Sequence, residues 1–174
     1  TKGKRNMYET NRLILRKAVF SDWEQMYRNI WCHEETARYM LWAVTESEAA
    51  AKERMERTIA FQQSHHAWLV VEKESGKAIG FAGLREESGV CEDTGIAVGP
   101  RYVGKGYGTE ILNELVRIAK EGLNAHGFIA TCRSENEASR KMILGCGFRF
   151  SYAEPRVDKR NGEKYTLEFY SKEI

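Results

Sequence analysis

The segment GPRYVGKGYGTEIL, starting at Gly99, concentrates most of the chemistry the sequence offers. It has four glycines within ten positions, a lysine, and a helix-like run behind them. Glycines let a backbone approach phosphate oxygens, and the free amides of a helix start carry partial positive charge. Two phosphate-binding patterns are almost spelled. From Gly99 the loop reads G-x-x-x-x-G-K, but Gly106 stands where a Ser or Thr would hold magnesium, and the next strand-like run, FIATC, is followed by Arg133 instead of an acid. From Gly104 it reads as a dinucleotide turn, but Thr109 replaces the closing small residue and residues 128–133 supply no carboxylate for a ribose. A plain turn needs only one or two glycines. The loop reads as an anion site built from backbone amides alone.

Other reactive side chains form no pattern. Cys32, Cys91, Cys132 and Cys146 make no C-x-x-C pair, and no histidine is placed in sequence to activate Cys132 or Cys146. The adjacent His65 and His66 cannot share a metal from one helix face. The expectation is free thiols in a reducing cytoplasm and no metal. The 174 residues carry 27 basic and 25 acidic side chains, net +2, so no global field points to nucleic acid or an anionic membrane. No apolar run is long enough to span a bilayer. Lys2, Lys4 and Arg5 read as a frayed end, within a flexible N-terminus over residues 1–9. Residues 10–174 read as one domain.

The loop must be positioned by elements, and these are legible. RLILRKA alternates as a strand, and SDWEQMYRNIW has one apolar helical face. CHEETARYMLWAV reads as an irregular link. TESE, Thr45 to Glu48, fits a capping box ahead of a helix reaching about Gln63. AWLVVEK and KAIGFAGLR flank a hairpin turn, and EDTGIAVGP is a third strand. YGTEILNELVRIAKEGL and NEASRKMILGCGF have helical spacing on either side of FIATC, and FRFSYAE and KYTLEFYSK close the chain as strands. The order is β-α-α-β-β-β-α-β-α-β-β, an α+β chain with one late β-α-β crossover.

IAVGPRYVGKGYGTEIL followed by SENEASRKMILGCGF resembles the GNAT superfamily of acetyl-CoA-dependent N-acyltransferases. Its loop pattern, Q/R-x-x-G-x-G/A, maps onto Val103 to Gly108, with Val103 replacing the opening polar residue. TNRLILR, ETARYMLW and YVGKGYGTE are similar to the ribosomal-protein N-acetyltransferase-like branch. The resemblance runs from Thr10 to about Tyr170. It implies a mixed, mostly antiparallel α/β/α sheet whose fourth and fifth strands splay apart, with acetyl-CoA in the gap.

The resemblance further implies that strand amides of Ile96, Ala97 and Val98 hold the pantetheine arm and acetyl carbonyl. Amides of Gly104, Lys105, Gly106, Tyr107, Gly108 and Thr109 would hold the pyrophosphate, Asn136 would contact the cofactor, and Lys105 would stay peripheral. An amide near Ala97 or Val98 would stabilise the oxyanion if the strand bulges there. Asp93 would take the amine proton, against the alternative of a solvated charge. The family's usual acid, a tyrosine seven residues after the asparagine, is Ile143 here; Ser139 would assist the leaving thiol or only contact the cofactor. Among Trp31, Tyr39, Trp42 and Phe61, which core packing could also explain, Trp42 is the substrate-contact candidate. The implied reaction is direct attack by a primary amine, on a small molecule or a protein N-terminus, in a monomer or homodimer. A non-catalytic acyl-CoA-binding regulatory module on the same fold is the alternative.

Overall fold

The computed structural model describes residues 7–174; Lys2, Lys4 and Arg5 lie outside the described residues. Strands β1 (Met7–Glu9), β2 (Leu13–Arg16), β3 (His66–Glu72), β4 (Ala78–Glu87), β5 (Val90–Val98), β6 (Gly127–Arg133), β7 (Arg149–Val157) and β8 (Lys164–Glu173) form one sheet. Their order is β1-β2-β3-β4-β5-β6-β8-β7, antiparallel except for β5 and β6. Met7–Glu9 therefore departs from the expected flexible end: Tyr8 pairs with Leu15 and its ring meets Trp68 edge-on at 5.4 Å. The added strand makes the implied fourth and fifth strands β5 and β6.

The helices are α1 (Trp23–Met26), running from a 3₁₀ turn at Phe20–Asp22 into a π-type turn at Tyr27–Trp31; α2 (Glu34–Ala37); α3 (Glu48–Ser64); α4 (Tyr107–Arg117), continued by a π-type turn at Ile118–Gly122; and α5 (Glu137–Gly145). The link expected to be irregular thus contains α2. The cap of α3 is Ser47, whose hydroxyl accepts the Ala50 amide at 3.0 Å. Thr45, the expected cap, instead accepts a hydrogen bond from Arg54.

Alternation along the strands loads both faces of the sheet. Trp68 and Val70 pack with Ile111, Leu112 and Leu115 of α4 and Ile143 of α5. Leu69, one residue out of phase, packs on the other face with Met26, Ile30, Ala51 and Met55 of the α1 and α3 layer. The outcome is the implied α/β/α arrangement. Asp22 locks the start of the α1 layer to β2 through a two-pronged ion pair with Arg16, both contacts 2.8 Å.

Candidate functional site

Parallel pairing of β5 and β6 covers only Val90 with Gly127, Cys91 with Phe128 and Glu92 with Ile129. Beyond Glu92 the strands separate. The register of β4 against β5 slips between Gly83 and Leu84, leaving Thr94 as an extra residue beside Gly95, whose φ is +135°. The bulge therefore lies three residues before Ala97. The Gly99 amide donates to the Ile79 carbonyl at 2.8 Å. Antiparallel alternation from that bond directs the Ala97 amide to β4 and those of Ile96 and Val98 into the gap. Ala97 is thus corrected as a gap-facing donor: its amide serves the ladder.

Asp93 sits where the strands part. Its Oδ2 accepts the Thr131 amide of β6 at 3.0 Å, spanning the first step of the split. Burial pushes its carboxyl up to about 7, against the opposing pull of the Thr131 amide; Glu92 adds to the rise, and the Gly95 amide and Arg85 reduce it. Glu92 instead faces Arg85, which donates to it at 3.1 Å.

Across the gap, Asn136 caps α5, its Oδ1 accepting the Ser139 amide at 3.2 Å. Asp93, Ile96, Asn136, Ser139 and Trp42 line one cleft of about 480 Å³. Cys132 also lines it, but burial pushes that thiol up to about 11, which keeps it protonated and unsuited to nucleophilic attack near neutrality.

The glycine loop is braced from below. Thr10 donates to Glu110 at 2.5 Å, Arg12 donates to Glu110 through its amide at 2.9 Å and Nε at 2.8 Å, and Arg12 Nη1 donates to the Lys105 carbonyl at 2.8 Å. That bond occupies the Lys105 carbonyl and ties the loop to β2 and α4. Gly104 and Gly106 have φ of +81° and +82°, a region that non-glycine residues rarely occupy. Gly106 precedes the first turn of α4.

The other loop residues divide by role. The Tyr107 side chain is buried, donating to Glu72 at 2.6 Å, so only its backbone remains for a ligand. Gly108 serves packing: a Cβ there would meet Met142 Sδ at 2.5 Å. The Thr109 carbonyl faces Cys146 Sγ at 3.9 Å. Lys105 reaches Glu72 at 3.9 Å, the same carboxylate that accepts the Tyr107 hydroxyl. Left-handed glycines, an open helix start and two strand amides facing a gap suit an elongated ligand with a diphosphate and an amide-bearing arm.

A second cavity, about 930 Å³, lies between α3 and the sheet and shares Trp42, Phe81, Thr94 and Gly95 with the cleft. Trp31, Trp42 and Phe61 line it, and Tyr39 lines the cleft. Sequence reasoning missed what fixes Trp42. Arg160, in the β7–β8 turn, donates to the carbonyls of Trp42 at 2.7 Å and Ala37 at 3.0 Å. Asp158 orients Arg160 and also pairs with Arg133, each at 2.8 Å. The two arginines hold the Asp158 carboxyl far below the usual carboxylate range. The only signal in sequence was a turn rich in charges.

Among the described residues, no helix is long and apolar enough to cross a membrane, and no group of three or more His, Cys, Asp or Glu is arranged to hold a metal.

Residues 12–149 match the family described as acetyltransferase (GNAT) domain. The chain is 25% identical over 168 residues to the uncharacterized N-acetyltransferase YoaA of Bacillus subtilis (strain 168), covering 94% of each. A putative ribosomal-protein-serine acetyltransferase from Vibrio cholerae superposes with a TM-score of 0.77 at 22% identity, covering 97% of each chain. The microcin C7 self-immunity acetyltransferase MccE, solved with acetyl-CoA and AMP, superposes with a TM-score of 0.79 at 20% identity, covering 95% of this chain and 94% of its own. With the family match spanning most of the chain and the sheet split between β5 and β6, this protein belongs to the GNAT family of acetyltransferases.

Proposed function

We propose that this chain transfers the acetyl group of acetyl-CoA to a primary amine by direct attack, with Asp93 as the base. The observation that carries the reading is Asp93, held at the split of β5 and β6 with its carboxyl poised near neutrality. Acetyl-CoA supplies an activated thioester carbonyl. The amine nitrogen bonds to that carbon, the carbon–sulfur bond breaks, the amine loses one proton and the leaving thiolate gains one.

The residues of this chain divide that work. Gap-facing amides of Ile96 and Val98 receive the amide-bearing arm and the oxygen that gains charge. Amides from Gly104 to Thr109 receive the diphosphate. Asp93 accepts the amine proton, directly or through one water. Ser139, beside the cap residue Asn136, presents its hydroxyl to the departing sulfur. The protonated Cys132 argues against a covalent acetyl-cysteine route. A small-molecule amine and a protein N-terminus both fit this chemistry.

The test is thiol release from acetyl-CoA over a panel of amines and N-terminal peptides. Amine-dependent release supports an enzyme. Acetyl-CoA binding without release from any acceptor supports the regulatory-module reading, which the vacant tyrosine position, Ile143, favours.

A further inference from the structure

The 930 Å³ cavity between α3 and the sheet holds a charge that the catalytic reading does not use. Along α3, Ala50, Arg54, Thr58 and Phe61 recur at helical spacing and face it, while Ala51 and Met55, on the adjoining flank of the helix, are buried in the core. Arg54 is half-buried. Its guanidinium lies 4.7 Å from the centre of the Trp31 ring and 4.5 Å from that of Trp42. Nη1 donates to the Thr45 hydroxyl at 3.0 Å. No carboxylate of the described residues pairs with it; the charge acting on it is the like charge of Arg57, one turn along. Burial and that neighbour push Arg54 down to about 10. Arg57 also lines the cavity, and Glu46 is the one acidic residue in the lining.

A guanidinium taken from water without an anionic partner costs free energy. Stacking on two indoles offsets part of that cost but neutralises no charge. A planar fork of donors matches an oxyanion in two-pronged geometry.

We infer that this cavity is the acceptor chamber and that it selects an amine bearing a carboxylate or phosphate on an apolar body, the anion seated at Arg54 and Arg57. The inference rests on the acetyl-transfer reading of the Asp93 cleft, which the chamber joins through Trp42, Phe81, Thr94 and Gly95. The aromatic lining takes the apolar body, and the amine end lies at the border with the cleft that these four residues form.

The test uses binding, so it stands apart from turnover. Titrations followed by tryptophan fluorescence and calorimetry would compare 3-phenylpropionate with 3-phenylpropionamide, and 2-phenylethyl phosphate with 2-phenylethanol. At least one anion should bind tenfold or more tightly than its neutral partner, and the stronger pair identifies the anion. Arg54→Met should bring that ratio to within about twofold of unity, and Arg54→Lys should restore part of it. Because Arg54 packs on two tryptophans, Arg57→Met provides a second variant away from those rings; it should also lower the ratio. Equal binding of both members of each pair to the unaltered protein would overturn the inference, as would an unchanged ratio in a folded Arg54→Met protein. Failure of the catalytic reading would appear separately, as absent thiol release.

Discussion

Asp93 of β5 accepts the Thr131 amide of β6 at 3.0 Å, beyond the last backbone pairing of the two strands. One side chain thus closes the ladder where the sheet opens, and burial there pushes its carboxyl up to about 7. A base must be ionised to accept a proton, so kcat at saturating amine should rise with pH and level off above about 7. The measurement is a pH–rate profile, and a rise centred near 4 would remove burial as the tuning force.

The same shift has a stability consequence of opposite sign. The folded protein holds the Asp93 proton at a pH where the unfolded chain has released it. Folding is therefore progressively disfavoured as pH rises from about 4 to about 7. Asp93→Asn, which keeps an oxygen for the Thr131 amide, should be more stable than the parent at pH 8, by roughly 1–3 kcal/mol, and show no advantage at pH 4. Thermal melts at the two pH values decide this.

Asp158 behaves in the reverse sense. Arg160 and Arg133 hold its carboxyl far below the usual range, so its stabilisation is present above about pH 4 and is lost as pH falls further. Asp158→Asn should lower Tm at pH 7 by several degrees and flatten the acid limb of the Tm profile. Arg160→Ala, which frees the Trp42 carbonyl, should raise the acceptor KM several-fold while acetyl-CoA affinity holds.

Two glycines of the loop should fail for different reasons. At Gly104, where nothing lies within 4 Å of an added Cβ, alanine meets only backbone strain at φ +81°. It should cost about 1 kcal/mol and weaken acetyl-CoA binding. At Gly108 the added Cβ meets only the flexible Met142 side chain, which can swing aside, so alanine should cost no more than about 1 kcal/mol, and Met142→Ala should recover it. Paired melts and acetyl-CoA titrations separate the two.

Arg12 braces the loop through Glu110 and the Lys105 carbonyl without facing the cleft. Arg12→Ala should weaken acetyl-CoA binding about tenfold with little change in the acceptor KM. Titration calorimetry and initial rates test this.

The extent to which the sequence foretold this molecule follows from which forces are local. The order of the major elements was legible because strand alternation and the helical stripe of Ile111, Leu112 and Leu115 are imposed by one core. The glycine loop was legible because left-handed φ leaves glycine as its signature. Met7–Glu9 was missed because a three-residue edge strand owes its pairing to β2 and its packing to Trp68. Ser47 displaced Thr45 as a cap because Arg54 claims the Thr45 hydroxyl from nine positions away. The bulge at Thr94 and the Arg160 brace on Trp42 are relations between distant strands and loops, and no local spacing encodes them. For the same reason Asp93 and Ser139, placed by family resemblance, needed the folded cleft to bring them together.

The most direct test of catalysis at the split of β5 and β6 is thiol release from acetyl-CoA by the parent protein and Asp93→Asn, over one amine panel at pH 7.5, with acetyl-CoA binding measured in parallel. The expected result is amine-dependent release by the parent, a loss of about 10²- to 10⁴-fold in the variant, and equal acetyl-CoA affinity in both. No release with any acceptor, or equal rates in the two proteins, would contradict the account.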